Sequence, residues 1–349
     1  MNHGWKYITS DECFSSITPK SKIEKKYYSE GHLIPIISQE EEFISGYWDN
    51  YSDITPHERP IVIFGDHSRV LKYIDFDFVV GADGVKILLP NESIDAKFLY
   101  YYLKWKDVPS LGYSRHFKLL KDYNYLCPPI IRQAEIVSEL DKINELIGVK
   151  RSQLKDLDAL AQSLFYETFG DPIDNPKGWE TEKFGNICEL SAGGDKPADT
   201  QKEMNAERNI PVYSNGIDNE GLYGYTSEPR ITKPSLTISG RGTLGVPFIR
   251  KTPYVPIIRL IVAIPTSVVN LSFLYYLVKI MKFGGKGAAI PQLTVPMVKD
   301  VVLPVPPLAL QQQFAERIEA IEAQKKLVEA SIADLETLLA SRMDYWFND

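Results

Sequence analysis

This chain is written twice. Pro128-Pro129, followed by Gln133, Ile136, Leu140, Ile143, Leu154 and Leu157, returns as Pro306-Pro307, Gln311, Phe314, Ile318, Ile321, Ile332 and Leu335, each residue displaced by 178 positions. Solenoid units recur at about 20–50 residues, so this spacing marks a whole module: a globular region followed by a long amphipathic helix. The match extends upstream. Gly4-Trp5 corresponds to Gly178-Trp179, Ile34-Pro35-Ile36 and Ser38 to Ile210-Pro211-Val212 and Ser214, Gly46-Tyr47 to Gly224-Tyr225, Pro60 to Pro234, and Phe98-Leu99-Tyr100 to Phe273-Leu274-Tyr275. There the offset drifts by a few residues, and inside the helices it does not. The helices are the constrained part and the globular parts the variable part. A chain built twice does one thing in two places.

The helical pattern is a heptad seam. Ile136, Leu140, Ile143, Ile147, Lys150, Leu154, Leu157, Ala161 and Leu164 alternate steps of four and three, as do Phe314, Ile318, Ile321, Lys325, Val328, Ile332, Leu335, Leu339 and Arg342. The paired prolines punctuate the starts, and Gly170-Asp171-Pro172 ends the first helix. Each seam either packs on its own domain or pairs with the other. An intramolecular antiparallel pair, about residues 131–168 against 308–345, suits a chain that must leave one helix, build a domain and return. Lys150 and Lys325 interrupt the seam near its middle, where a polar residue can fix register.

Short β-like runs with Gly, Pro and Asn punctuation fill both globular halves: 34–38, 61–64, 78–80 and 85–89, then 211–214, 235–239, 247–250 and 259–264. Helices are predicted at 95–106 and 272–283. The expected class is α+β, with twin domains at 1–127 and 171–305 and helices at 128–170 and 306–349. A length of 349 residues suits two domains.

Composition narrows the functions. No apolar run reaches the roughly 18 residues of a membrane helix, and the start has no apolar signal core. Three cysteines, Cys13, Cys127 and Cys188, have no metal spacing, and a cytoplasmic location is expected. Net charge is −7. It divides as −3 over residues 1–127, −3 over 128–177, +3 over 178–305 and −4 over 306–349. The helices are acidic and the second globular region mildly basic, which permits a local nucleic-acid face without strong non-specific binding. All five histidines, His3, His32, His57, His67 and His116, lie in the first half, so a histidine-dependent reaction cannot belong to the duplicated function. Gly240–Gly245 lacks the Gly-Lys-Ser/Thr of a phosphate loop. No methyl-donor motif is present, and Glu182-Lys183 with Asp75 and Asp77 does not amount to a nuclease set. No catalytic residue, cofactor or metal is expected.

The loops are the informative remainder. One copy carries Gly65-Asp66-His67-Ser68-Arg69, and the other carries Gly240-Arg241-Gly242-Thr243-Leu244-Gly245. Late in each copy come residues 112–118, with Arg115, His116 and Lys118, and residues 284–293, with Lys286 and Gln292. Such basic, glycine-flexible stretches suit phosphates and base edges; they equally suit solvated loop charges. The candidates for DNA contact are Ser38, Gln39, His67, Arg69, Arg115, His116 and Lys118 in the first half, and Ser214, Asn215, Arg241, Lys286 and Gln292 in the second.

Two variable α+β domains, each followed by a near-identical helix opening Pro-Pro…Gln…Ile, together with Gly287–Leu293, resemble the DNA-specificity subunit of type I restriction–modification systems. The resemblance covers the whole chain; Gly65-Asp66-His67 departs from it where the second copy has Gly-Arg-Gly. It implies two target-recognition domains, each reading one half of a bipartite sequence in double-stranded DNA. It implies helices that pair as a spacer and carry two methyltransferase subunits, with restriction or translocase subunits as further partners. It also implies that the chain is itself no enzyme. A specificity subunit of a related type II system and a two-headed coiled-coil scaffold are the alternatives.

Overall fold

The computed structural model describes residues 5–31, 33–112, 114–281, 283 and 292–348. The chain divides into two compact units, residues 1–151 with 330–349, and residues 152–329.

In the first unit the strand Ile61–Gly65 is a continuous apolar run, buried on both faces, as an interior strand covered on two sides must be. It pairs antiparallel with Leu71–Ile74 and Val85–Pro90, and the latter with Phe14–Ile17. Side chains alternate across it. Val62 and Phe64, with Leu88, meet Phe98, Leu99 and Leu103 of the helix Ala96–Lys106. Ile61, Ile63 and Ile87 meet Ile37, Phe78 and Val80 on the opposite side. Beyond lies a mixed sheet ordered Lys22–Ile23, Val79–Gly81, Ile34–Ile37, Gly46–Trp48. Asp95 caps Ala96–Lys106 by accepting from the amides of Lys97 and Phe98, each at 2.8 Å.

In the second unit the order is Cys188–Ala192, Ile261–Pro265, Ser235–Ile238, Pro247–Arg250, again antiparallel. Leu236, Ile238, Ile261 and Ala263 pack with Phe273, Leu274 and Leu277 of the helix Leu271–Met281, which Asn270 caps. A smaller mixed sheet orders Leu222–Thr226, Ile210–Tyr213, Val255–Pro256. Each unit also holds one two-stranded ribbon, Lys6–Ile8 with Tyr125–Cys127 and Thr181–Lys183 with Val302–Pro304, which leads into its proline pair.

The repeated glutamine explains the join between ribbon, cap and long helix. Gln133 has no exposed surface. Its Oε1 accepts from the Asp95 amide, and its Nε2 donates to Ser93 O and Pro128 O, all at 2.8 Å. Gln311, equally buried, repeats the arrangement. The Asn270 amide donates to its Oε1 at 2.8 Å, and its Nε2 donates to Val268 O at 3.2 Å and Pro306 O at 2.7 Å. One fully buried side-chain amide thus spends its whole hydrogen-bonding capacity on three backbone groups, among them the carbonyl of a buried proline.

The long helices run Ile130–Phe169 and Leu308–Phe347, 40 residues each. In the first unit Ile136, Leu140, Ile143 and Ile147 share a core with Leu339, Met343 and Phe347. Arg342, which the heptad pattern places in the seam, lies at its edge, where its guanidinium pairs with Glu139; Met343 takes the buried place. An unpaired guanidinium could not be buried there. Trp346 Nε1 also donates to Glu139 at 3.0 Å, and Arg151 pairs with Glu336 at 2.7 Å. In the second unit Phe165 and Phe169 pack against Phe273 and Phe314, with ring centroids 4.8–5.8 Å apart. Lys325 bonds Asp158 at 2.9 Å and Glu322 at 3.3 Å. Burial works against its charge, but the Asp158 bond and the field of Glu322 prevail, so it titrates above the usual ammonium range.

Replacing Gln311 by Ala removes three hydrogen bonds, one of them to the buried Pro306 carbonyl. The loss expected in the unfolding of the second unit is about 2–4 kcal/mol, since each such bond contributes about 0.5–1.5 kcal/mol. Urea denaturation reads it, and a change below about 0.5 kcal/mol, within the scatter of ordinary surface substitutions, contradicts it. The Arg342 hydrogen bond, outweighing burial, holds Glu139 below the usual carboxylate range. A depressed folded value contributes stability above the unfolded one, about pH 4.3, and loses it as pH falls through the folded one. Wild type should therefore melt higher than Glu139→Gln near pH 7, and the two should converge in acid; a gap that persists at pH 3 contradicts the ion pair's role.

Candidate nucleic-acid interface

In the second unit four chain segments meet at one end of the sheets. Asn215 follows the strand Ile210–Tyr213 and is half-buried. Its Nδ2 donates to Ile258 O and its Oδ1 accepts from the Gly240 amide, both at 2.7 Å. The Leu293 amide in turn donates to Gly240 O at 2.8 Å. A Cβ on residue 240 would lie 2.8 Å from Leu293 O and 3.4 Å from Arg259 O, so this crossing needs glycine. Ser239 Oγ donates to Thr243 O at 2.5 Å and accepts from the Val246 amide at 2.9 Å, closing the 240–245 loop. Ser214 lies beside Gly221, its amide donating to that carbonyl. Arg241, Ile258 and Arg259 are exposed on this end, and Gln292 is half-buried. Lys286, with the rest of 284–291, lies outside the described residues.

The first unit builds the same end with a longer amide. Gln39 Nε2 donates to Asp83 O and its Oε1 accepts from the His67 amide, each at 3.1 Å. The His116 amide donates to Asp66 O at 2.8 Å, as Leu293 does to Gly240. Gln39 and Asn215 stand two residues beyond corresponding strands, and the extra methylene of Gln39 shifts its donor one residue along the loop. Ser68 Oγ donates to Gln39 O, and the Phe117 amide to Asp66 Oδ1 at 2.8 Å.

These bonds divide the expected residues into braces and surface. Ser38 and His116, expected to touch nucleic acid, are buried at 3% and 0% exposure and shape the loops instead. The Leu111 amide donates to His116 Nε2 at 2.9 Å, so the ring proton sits on Nδ1, which donates to Asp66 O at 2.9 Å. Ser38 Oγ bonds Ser45, and its carbonyl accepts from the buried Lys72 ammonium, which also bonds Glu42 O and Phe43 O. Burial pushes Lys72 below the usual ammonium range. Arg69, at φ 63°, turns its guanidinium onto Val108 O at 2.8 Å. Both amide groups of Gln39 and of Asn215 are engaged. His67, Arg115 and Lys118 remain exposed. Asp83, Ile258 and Arg259 lie on the same ends and were not expected there; opposite charges at matching positions hide their equivalence from a search for repeated residues.

Among the described residues no group of three or more His, Cys, Asp or Glu could hold a metal ion, and no helix is long and apolar enough to cross a membrane. The family model of the type I restriction modification DNA specificity domain matches residues 176–337. A putative type I specificity subunit of Mycoplasma pneumoniae is 31% identical over 267 residues, covering 73% of this chain and 72% of its own. Another from that organism is 30% identical over 276 residues, covering 74% and 82%. The chain belongs to the type I specificity subunits. The crystal structure of the S subunit of a type I restriction-modification system from M. genitalium shares its fold, with a TM-score of 0.63 over 99% of this chain and 96% of that one, at 16% identity. As a specificity subunit, the chain is a non-catalytic member of its system.

Asn215→Asp tests the brace. It sets a carboxylate oxygen against Ile258 O while sparing the bond from Gly240. Losing one bond of about 1.4 kcal/mol should speed amide exchange at residues 258–260 about tenfold. Exchange at Val62 should stay unchanged. Unaltered exchange at 258–260 contradicts the clamp.

Proposed function

We propose that this specificity subunit reads a split sequence in double-stranded DNA, one half with each loop end. Residues 1–127 and 171–305 act as recognition domains. Residues 128–170 and 306–349 act as an antiparallel spacer that sets the gap and seats two methyltransferase subunits. The observation that carries the reading is the repeated clamp. Two different amides, Gln39 and Asn215, tie matching loops together and leave exposed donors on the same end of each unit.

Arg241, Lys286 and Gln292 face one half of the target, and His67, Arg115 and Lys118 the other. Arginine suits guanine, glutamine suits adenine, and lysine holds phosphate. The antiparallel spacer is supported by ion pairs in which residue numbers rise along one helix as they fall along the other: Glu139 with Arg342 and Arg151 with Glu336 in one unit, Asp158 with Lys325 in the other. Two copies of one helix unit offer equivalent seats to two copies of one partner. The acidic helices and the net charge of −7 leave much of the positive surface to those partners. The complex has room for restriction or translocase subunits as further partners, and it works in the cytoplasm.

The test selects targets from randomised duplex DNA with the subunit assembled with its partner methyltransferase, two per chain. Arg241→Ala should relax one position in one half-sequence by about 1–3 kcal/mol, and Arg115→Ala one position in the other. Lys118→Ala should weaken all sequences alike and lower the salt slope by about one. Arg241→Ala complexes that keep the wild-type target and affinity contradict the assignment.

A further inference from the structure

Each reading end carries one further loop beside its clamp. In the second unit it is the turn Ile258-Arg259, in which two consecutive non-glycine residues take left-handed backbone, φ 55° and 59°. Such a conformation costs about 1–2 kcal/mol per residue, and a β-branched residue rarely adopts it. The fold compels it. The Ile258 amide donates to Gly194 O at 3.0 Å, the Arg259 amide to Gly193 O at 2.9 Å, and Ile258 O accepts from Asn215. Gly193 is needed for this seat, since a Cβ there would lie 2.7 Å from Ile257 N. The result is an exposed isoleucine and an exposed arginine whose backbone passes beside Gly240, on the same end as the exposed Arg241.

The first unit has a related turn, in which Ala82 and Gly84, but not Asp83 between them, take left-handed backbone. Ala82 takes φ 48° and its amide donates to Ile23 O at 2.7 Å, the counterpart of the Ile258 bond. Asp83 therefore stands where Arg259 stands, 176 residues earlier, the offset that also relates Gln39 to Asn215. The charge is reversed. Asp83 is almost fully exposed and bonds Lys22 at 2.8 Å. That hydrogen bond, the Lys22 charge and the more distant Arg115 hold its carboxyl below the usual range, so it stays ionised. A surface ion pair of this kind is worth little and is readily exchanged for another donor.

A carboxylate at a DNA-facing end is repelled by phosphate, and what it can accept from is a base amino group. An arginine held out on a strained, braced turn is preorganised for a forked contact. We propose that Asp83 and Arg259 are specificity-determining residues of opposite sense, Asp83 accepting from the N4 amino group of a cytosine in one half-sequence and Arg259 donating to O6 and N7 of a guanine in the other. The assignment rests on the split-target reading above. It goes beyond that reading in giving the two halves different chemistry at matching loops.

The experiment selects targets from randomised duplex DNA with the methyltransferase-assembled subunit, wild type against Arg259→Gly, Arg259→Ala and Asp83→Asn. Arg259→Gly removes the side chain and relieves the left-handed strain, so its melting temperature should equal or exceed wild type. With either substitution at 259, discrimination for one guanine in one half should fall about ten- to hundredfold. Asp83→Asn should move one position of the other half from cytosine toward adenine, because asparagine suits the adenine edge. A uniform loss over all sequences on removing Arg259 assigns it to phosphate and overturns the proposal, as does an unchanged target with any of the three variants. A wild-type complex that selects no split sequence instead overturns the reading on which the proposal rests.

Discussion

Everything the chain displays depends on two buried side-chain amides, Gln133 and Gln311. Each sits one turn into a long helix and answers three backbone groups: two carbonyls, and the amide of the residue that caps the globular helix. The helix start, the proline pair and the cap are thereby fixed to one another at a point without water. The geometry tolerates no other side chain well, because a carboxylate would face two carbonyl oxygens and an aliphatic group would leave donors and acceptors unpaired. A helix seam can drift along its partner, whereas a three-way hydrogen bond cannot. Each globular body is thus locked in register to its helix.

The same logic is used a second time at the other end of each unit, with less uniform chemistry. Gln39 and Asn215 differ in length and grip slightly different atoms, yet each ties the loop after one strand to two others. Bracing by a residue that spends both its donor and its acceptor inward frees neighbouring positions to vary. Arg115 and Gln292, His67 and Arg241, Asp83 and Arg259 differ from copy to copy while the braces under them are kept. The arrangement separates a scaffold held by inward bonds from a surface that differs between the two copies.

Much of this was legible in the chain itself. The 178-residue offset and the heptads located both helices to within two residues, because a buried glutamine and a proline pair tolerate no drift. The strands emerged from apolar runs such as Ile61–Phe64. The clamped loop ends emerged only in outline. Ser38 and His116 look like surface polar residues, and nothing in sequence tells that Lys72, Ser45, Leu111 and Asp66 enclose them. Arg342 falls on a heptad position, yet its charge sends it to the rim and Met343 inward. The left-handed turn at Ile258-Arg259 leaves no compositional trace, because isoleucine and arginine are residues that pattern reading assigns to a strand.

On the function proposed above, the two halves of the molecule read independently. The most direct measurement exchanges residues 1–127 for the corresponding segment of another member of the family that reads a different sequence, keeps both long helices, and maps methylated sites after assembly with the methyltransferase. One half of the target should change to that of the donor while the other half and the gap between them stay as they were. A change in both halves, or a new gap with both halves retained, would contradict independent reading.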